Sequence, residues 1–252
     1  ITIEPTFAMV DIYSKIKRVK QIKIKYNQKL NLDYKKLFET IKNKKISLII
    51  LANPNSPTGT IIPKKIIFKI LKSCQRKNIA VLIDEAYFGF YKFSMVPYVN
   101  KYSNLIVCRT FSKAYGLAGC RVGFLAANKD LAQRLYNLRP MYEINSLGVM
   151  IVSEILKKNT FIIKNLKEQL RGKKYLLKEF KKLKLQYLDG HANFIHINLG
   201  EKKSKLEKIF YKNNILIRGG LNISGYQNFL RISLGPENMM KRVVKILKSF
   251  LK

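Results

Sequence analysis

The sequence has no tryptophan, two histidines and three cysteines among its 252 residues. Cys74, Cys108 and Cys120 are an odd number at wide spacing without a CxxC pair, so we expect no disulfide framework. Two histidines are too few for an ordinary zinc site, so we expect no metal. No run of eighteen apolar residues occurs, and the first residues, ITIEPTFAM, lack the basic region and apolar stretch of a signal peptide. We therefore expect a cytoplasmic protein without a membrane partner.

Acidic residues are scarce, and 49 Lys and Arg against 15 Asp and Glu give a formal net charge of +34. Such a charge is typical of proteins that bind nucleic acid. However, 39 of the basic residues are lysine, they are spread along the whole chain, and no nucleic-acid recognition module is visible. The accompanying Ile, Asn, Tyr and Phe fit codons rich in A and T. We expect no nucleic-acid partner, and an inactive basic binding protein is the distant alternative.

An apolar content of 47% over this length supports a sizeable core. Short apolar runs alternate with helical patterns in the first part of the chain, which is typical of a mostly parallel sheet covered on both faces. The predicted strands are 22–26, 47–52, 80–83, 105–108 and 122–127, with helices at 33–43 and 63–77. Long helical stretches follow from residue 129, with a break near Pro140.

A second pattern begins after a long helix predicted at 161–183. Short strands are predicted at 185–188, 193–198, 215–218 and 229–234, with helices after residue 202 and from 237. We therefore predict an α/β protein. Its large domain spans 1–157, and a bridging helix with a small C-terminal α+β domain spans 158–252.

Three polar motifs each follow a predicted buried strand. They are Asn53–Gly59, Asp84–Tyr87 and Thr110–Arg121. Ligands bind at the carboxyl ends of strands in open parallel sheets, so we expect the motifs to converge on one crevice. Taken singly, each has an ordinary explanation, namely a Pro-Gly turn, a capping aspartate and one surface lysine among 39.

The third motif carries the most specific chemistry. The amine of Lys113 can bond an aldehyde cofactor, and Thr110, Ser112 and Arg121 could hold the phosphate of that cofactor. Gly116 and Gly119 are expected to permit close approach of the backbone. These residues together indicate pyridoxal phosphate.

The second motif supplies matching groups for such a cofactor. Asp84 would pair with the ring nitrogen and keep it protonated, and Tyr87 could reach the phenolic oxygen of the ring. We therefore expect Lys113, Asp84 and Tyr87 to be the catalytic residues.

The three motifs together resemble the class I/II, fold-type I pyridoxal-phosphate aminotransferases, and among them the histidinol-phosphate aminotransferase branch, over essentially the whole chain. The resemblance implies a fold-type I large domain and a homodimer that exchanges an amino group between an amino donor and a 2-oxo acid in histidine biosynthesis. Other class I/II aminotransferases and threonine-phosphate decarboxylase-like enzymes share most of the motifs and remain alternatives. Relatives carry a further segment ahead of Glu4, so an N-terminally truncated chain is expected.

The resemblance also implies roles for single residues. Lys113 bonds the cofactor and moves a proton, and Phe7 stacks on the ring in place of a tyrosine. Either Asn55 or Ser56 contacts the phenolic oxygen, because Ser56 stands where relatives have asparagine. The residues expected to bind the substrate are Arg218, Arg231 and Tyr142. His191 and His196 are expected to be structural.

Overall fold

A computed structural model describes residues 1–158, 160–221 and 223–251. The chain forms two compact units, Ile1–Lys158 and Asn159–Lys252. The strands of the first unit are β1 Thr2–Glu4, β2 Lys23–Lys25, β3 Leu48–Ala52, β4 Ala80–Asp84, β5 Leu105–Thr110 and β6 Gly123–Ala126. Its helices are α1 Ala8–Ile16, α2 Tyr34–Asn43, α3 Lys64–Gln75, α4 Lys129–Tyr136 and α5 Ser146–Lys157.

The main sheet of the first unit has the strand order β3-β4-β5-β6. Strands β3, β4 and β5 are parallel, and β6 runs antiparallel to β5, which confirms the prediction of a mostly parallel sheet. One face is fully buried through side chains such as Leu51, Ile83 and Val107. On the other face Ile50 and Leu82 are half-buried and line an open cleft of about 580 Å³. The expectation that helices cover both faces is therefore met on one face only.

Local hydrogen bonds explain where several helices begin. The Asp33 carboxylate accepts a hydrogen bond of 2.9 Å from the Lys36 amide and caps α2, as the sequence predicts. Asn128 and Asn145 cap α4 and α5 in the same way. Pro63 lies one residue before α3, where its missing N–H costs no helical hydrogen bond.

The second unit packs three helices against an antiparallel sheet. The elements are α6 Thr160–Lys182, β7 Tyr187–Asp189, β8 Phe194–Asn198, α7 Lys203–Lys212, β9 Arg218–Gly219, β10 Phe229–Ser233 and α8 Glu237–Leu251. The strand order is β7-β8-β10-β9. Phe180, Phe210, Leu230 and Leu247 are fully buried in its core.

Two strands of this unit differ from their predicted bounds. The first begins at Tyr187 rather than at residue 185, because the Leu185 amide still donates to the Phe180 carbonyl at the end of α6. The strand predicted at 215–218 is reduced to two residues, since β9 pairs with β10 only at Arg218 and Gly219. Among the described residues, no helix combines the length and apolar character needed to cross a bilayer.

Candidate active site

The three polar motifs lie side by side at the carboxyl edge of the parallel sheet. The motif at Asn53 follows β3, Asp84 is the last residue of β4, and Thr110 is the last residue of β5. The Asn53 amide donates to the Asp84 carbonyl at 2.8 Å, and the Glu85 amide donates to the Cys108 carbonyl at 2.8 Å. These backbone bonds extend the ladder past the strands and hold the motifs together.

Asp84 lies in the open cleft of the first unit, together with Phe7 and Cys108. Its carboxylate accepts a hydrogen bond of 2.9 Å from the Ala86 amide. Burial raises the pKa of Asp84, while the Ala86 hydrogen bond and the charge of Lys113 oppose that rise. A carboxylate in this position is stabilised in its ionised form by a cation, and a protonated ring nitrogen is such a group.

Lys113 and Tyr87 lie against each other. The Lys113 Nζ is 5.6 Å from the centroid of the Tyr87 ring, and the tyrosine is 6% exposed. Because Lys113 also influences the ionisation of Asp84, the three side chains form one electrostatic cluster. We call Lys113, Asp84 and Tyr87 the lysine cluster.

The loop after β5 presents the groups expected to hold a phosphate. The Thr110 hydroxyl accepts a hydrogen bond of 3.1 Å from the Ser112 amide. Arg121 is exposed and has a left-handed backbone with φ of 55°, which is uncommon for a residue other than glycine. Its guanidinium donates to the Ala118 carbonyl at 3.1 Å. Loop geometry therefore keeps Arg121 accessible to an anion.

The two glycines of this loop differ in what the backbone requires. Gly116 has φ of 72°, a conformation that other residues rarely adopt. At Gly119 an added Cβ would meet no atom within 4 Å. Among the described residues, nothing approaches Gly119 closely enough to require a glycine there.

Asn55 is committed to the fold of its own turn. It is 1% exposed, and its amide nitrogen donates to the Pro5 carbonyl at 3.0 Å and to the Thr58 hydroxyl at 2.9 Å. Its amide oxygen accepts from the Thr6 hydroxyl at 2.9 Å. Ser56, the next residue, is half-buried. Asn55 thus ties the turn to the segment that enters α1.

Phe7 directly follows Pro5 and Thr6, two residues that Asn55 bonds, and these bonds help to position it. It precedes α1, is 49% exposed and lines the same cleft as Asp84. An exposed aromatic ring beside a buried carboxylate is suited to cover a flat ligand.

The sequence interpretation did not assign a role to Glu85 or Arg109. The Glu85 carboxylate is 3.0 Å from Nε of Arg109 and accepts a hydrogen bond from the Ser94 hydroxyl at 2.8 Å. The available signal was a pair of opposite charges at the ends of two neighbouring predicted strands. Their pairing depends on the strand register, which spacing alone does not give.

The residues expected to bind the substrate are divided between the two units. Arg218 and Arg231 belong to the second unit, where they occupy directly opposite positions of β9 and β10. Tyr142 belongs to the first unit, in the connection between α4 and α5, and is 91% exposed. Within the described ranges, no three His, Cys, Asp or Glu side chains are grouped to hold a metal ion.

A mostly parallel sheet that carries a lysine, a carboxylate and a phenol at its carboxyl edge is the architecture of a fold-type I transferase. The sequence profile of the family described as aminotransferase class I and II matches residues 1–247. The chain belongs to the class I and II aminotransferases.

Individual relatives agree with this assignment. The chain is 34% identical over 249 residues to the histidinol-phosphate aminotransferase of Clostridium novyi (strain NT), covering 98% of this chain and 68% of the relative. The crystal structure of the histidinol-phosphate aminotransferase from Clostridium acetobutylicum has a TM-score of 0.89 at 26% identity, covering 99% of this chain and 77% of that one. The Sinorhizobium meliloti histidinol-phosphate aminotransferase, solved in complex with pyridoxal 5'-phosphate, shares the fold with a TM-score of 0.85 at 20% identity, covering 100% of this chain and 70% of that one.

Proposed function

We propose that this protein is a pyridoxal-phosphate-dependent histidinol-phosphate:2-oxoglutarate aminotransferase that acts as a homodimer. The observation that carries the proposal is the lysine cluster at the carboxyl edge of the sheet. Relatives named histidinol-phosphate aminotransferase, at 34% identity over nearly the whole chain, support the substrate. The homodimer rests on the resemblance to the family.

The residues present fit the cofactor. Asp84 is a largely buried carboxylate beside the Lys113 ammonium, and an exposed aromatic ring shares its cleft. Pyridoxal phosphate, when bound, supplies an electron-withdrawing ring that makes a proton on the substrate's α-carbon acidic.

Each residue of the lysine cluster has a separate role in the reaction. Lys113 would hold the cofactor through its aldehyde, and once the substrate amine has taken that place, the free Nζ would accept and return a proton of the substrate. Asp84 keeps the ring nitrogen protonated, since its negative charge favours the cationic form. The Tyr87 hydroxyl would donate a hydrogen bond to the phenolic oxygen.

The remaining first-unit residues bind and orient the cofactor. Thr110, Ser112 and Arg121 hold its phosphate, and Phe7 covers one face of the ring. Ser56 would contact the phenolic oxygen in place of asparagine, because the Asn55 amide nitrogen already donates to the Pro5 carbonyl and the Thr58 hydroxyl.

The substrate is recognised by its anionic groups. The planar guanidinium of Arg231 or Arg218 matches a phosphate or a carboxylate with two parallel hydrogen bonds. Tyr142 lines the substrate pocket. The high positive charge of the chain would also speed the encounter with anionic substrates in a salt-dependent way.

A coupled assay tests the proposal. The purified protein, loaded with pyridoxal phosphate, is incubated with histidinol phosphate and 2-oxoglutarate, and glutamate is measured. We expect glutamate that depends on both substrates and disappears in Lys113→Ala. Release of carbon dioxide from threonine phosphate without glutamate would instead support the decarboxylase alternative.

A further inference from the structure

The ends of β4 and β5 carry an ion pair that lies beside the lysine cluster without belonging to it. Glu85 directly follows Asp84, and Arg109 lies four residues before Lys113. The last rung of the parallel ladder joins Asp84 and Cys108. Past that rung β4 ends, whereas β5 continues to Thr110 and pairs there with β6.

The Glu85 carboxylate is bonded on both oxygens. Oε2 accepts from Nε of Arg109 at 3.0 Å and from the Ser94 hydroxyl at 2.8 Å, and Oε1 accepts from the Met95 amide. The side chain is 3% exposed. Glu85 therefore connects the end of β4 both to β5 and to the segment at Ser94.

The Arg109 side chain is also fixed by several contacts. Its Nη2 donates to the same Ser94 hydroxyl, and its guanidinium carbon lies 3.5 Å from the centroid of the Phe88 ring. The side chain is 17% exposed. A planar guanidinium stacked on an aromatic ring and bonded at two nitrogens has little freedom to move.

We propose that Glu85 and Arg109 are positioning residues, which fix the Asp84 carboxylate relative to the Lys113 loop by tying the end of β4 to the end of β5. The inference rests on the proposed function, because it assigns the pair to the geometry of that site. Buried ion pairs contribute little to stability compared with apolar residues of similar volume, which favours a geometric role for this one. Small displacements of reacting groups reduce rates strongly.

Three variants test the pair. Glu85→Gln keeps the shape but removes the charge opposite Arg109, and Ser94→Ala removes the hydroxyl that bonds both side chains and so loosens the pair without removing its charges. Glu168→Gln is the matched control, because Glu168 pairs with Arg171 on the exposed surface of α6. For each, kcat, KM for histidinol phosphate and the pH midpoint of the visible absorbance of the bound cofactor are measured.

We expect Glu85→Gln to lower kcat about tenfold or more, to change KM for histidinol phosphate by less than about twofold, and to shift the absorbance midpoint. Ser94→Ala should change kcat and the absorbance midpoint in the same direction as Glu85→Gln, but by a smaller amount. Glu168→Gln should match the wild type. If near-ultraviolet circular dichroism shows that Glu85→Gln does not fold, the kcat and absorbance midpoint of Ser94→Ala are compared with those of the wild type instead.

Different results would overturn the role of the Glu85–Arg109 pair and the proposed function. A folded Glu85→Gln, or Ser94→Ala in its place, with the wild-type midpoint and kcat would overturn the inference alone. A wild-type protein without the absorbance band would overturn the proposed function and the role assigned to the pair. If the band is present but histidinol phosphate is not a substrate, only the substrate proposal fails, and the midpoint shift still tests the pair.

Discussion

Arg231 of β10 lies directly opposite Arg218 of β9 in the antiparallel ladder. On its other side Arg231 is directly opposite His196 of β8. Cross-strand partners share one face of a sheet, so three basic side chains form a row. The like charges of the two arginines are unfavourable opposite each other, and an anion bound there would offset that repulsion.

Replacing either arginine should weaken substrate binding more than chemistry. Lysine keeps the charge but cannot form two parallel bonds to a carboxylate or phosphate. We expect Arg231→Lys and Arg218→Lys each to raise KM for histidinol phosphate about tenfold, with a smaller change in kcat. Steady-state kinetics measure this, with the exposed Arg171→Lys as control. An unchanged KM in both variants would contradict the assignment.

His196 should make the protein less stable in mild acid. Burial, with a smaller contribution from the charge of Arg231, lowers the pKa of His196 from 6.5 to about 4. The unfolded chain takes up a proton as the pH falls through 6.5, whereas the folded protein does not until about pH 4. The stability linked to this group is complete above the unfolded pKa and falls by roughly 3 kcal/mol as the pH drops to the folded pKa.

Urea denaturation at several pH values between about 4.5 and 7.5 checks the His196 prediction. The free energy of unfolding should fall toward acid in the wild type and less steeply in His196→Gln. Equal slopes for the two proteins would show that the histidine is not buried in its neutral form.

Glu179 should stabilise the second unit at neutral pH and lose that effect in acid. The ammonium groups of Lys182 and Lys248, which bond to the buried Glu179 carboxylate, lower its pKa from 4.5 to about 2. This stability is present above the unfolded pKa and is lost as the pH falls toward the folded one. Glu179→Gln should therefore lower the urea midpoint at neutral pH but reduce its loss on acidification, unlike the exposed Glu168→Gln. Parallel pH profiles for Glu179→Gln and the wild type would argue against these ion pairs.

Substitutions at two neighbouring residues of the Asn53–Gly59 turn should have different effects, one on protein stability and the other on cofactor binding. Asn55→Ala removes three hydrogen bonds of a buried amide and should lower the free energy of unfolding by about 3 kcal/mol. Ser56→Ala should change it by less than about 0.5 kcal/mol and weaken pyridoxal phosphate binding about tenfold. Denaturation curves and cofactor titrations measure the two effects. A destabilised Ser56→Ala with unchanged cofactor affinity would reverse the assignment.

The sequence predicted the elements that depend on local signals. The Asp33 cap, the apolar run ending at Asp84 and the terminal helix from Glu237 are all present, because each is encoded by neighbouring residues. The placement of three motifs at the carboxyl edge of the sheet follows from the parallel order of β3, β4 and β5. The positions of Asp84 and Lys113 could therefore be anticipated.

Features that depend on register could not be anticipated. The Glu85–Arg109 pair forms because β4 and β5 are aligned at Asp84 and Cys108, and the row at Arg231 forms because three strands are aligned there. A shift of one residue would send either set of side chains to opposite faces. The spacing of these residues along the chain does not determine how the strands are aligned.

The most direct test of the account concerns Lys113. The protein is loaded with pyridoxal phosphate, the bond between lysine and cofactor is fixed with borohydride, and the modified peptide is located by mass spectrometry. Of the 39 lysines, only Lys113 should carry the cofactor. Modification at a different lysine, or spread over many surface lysines, would contradict the account.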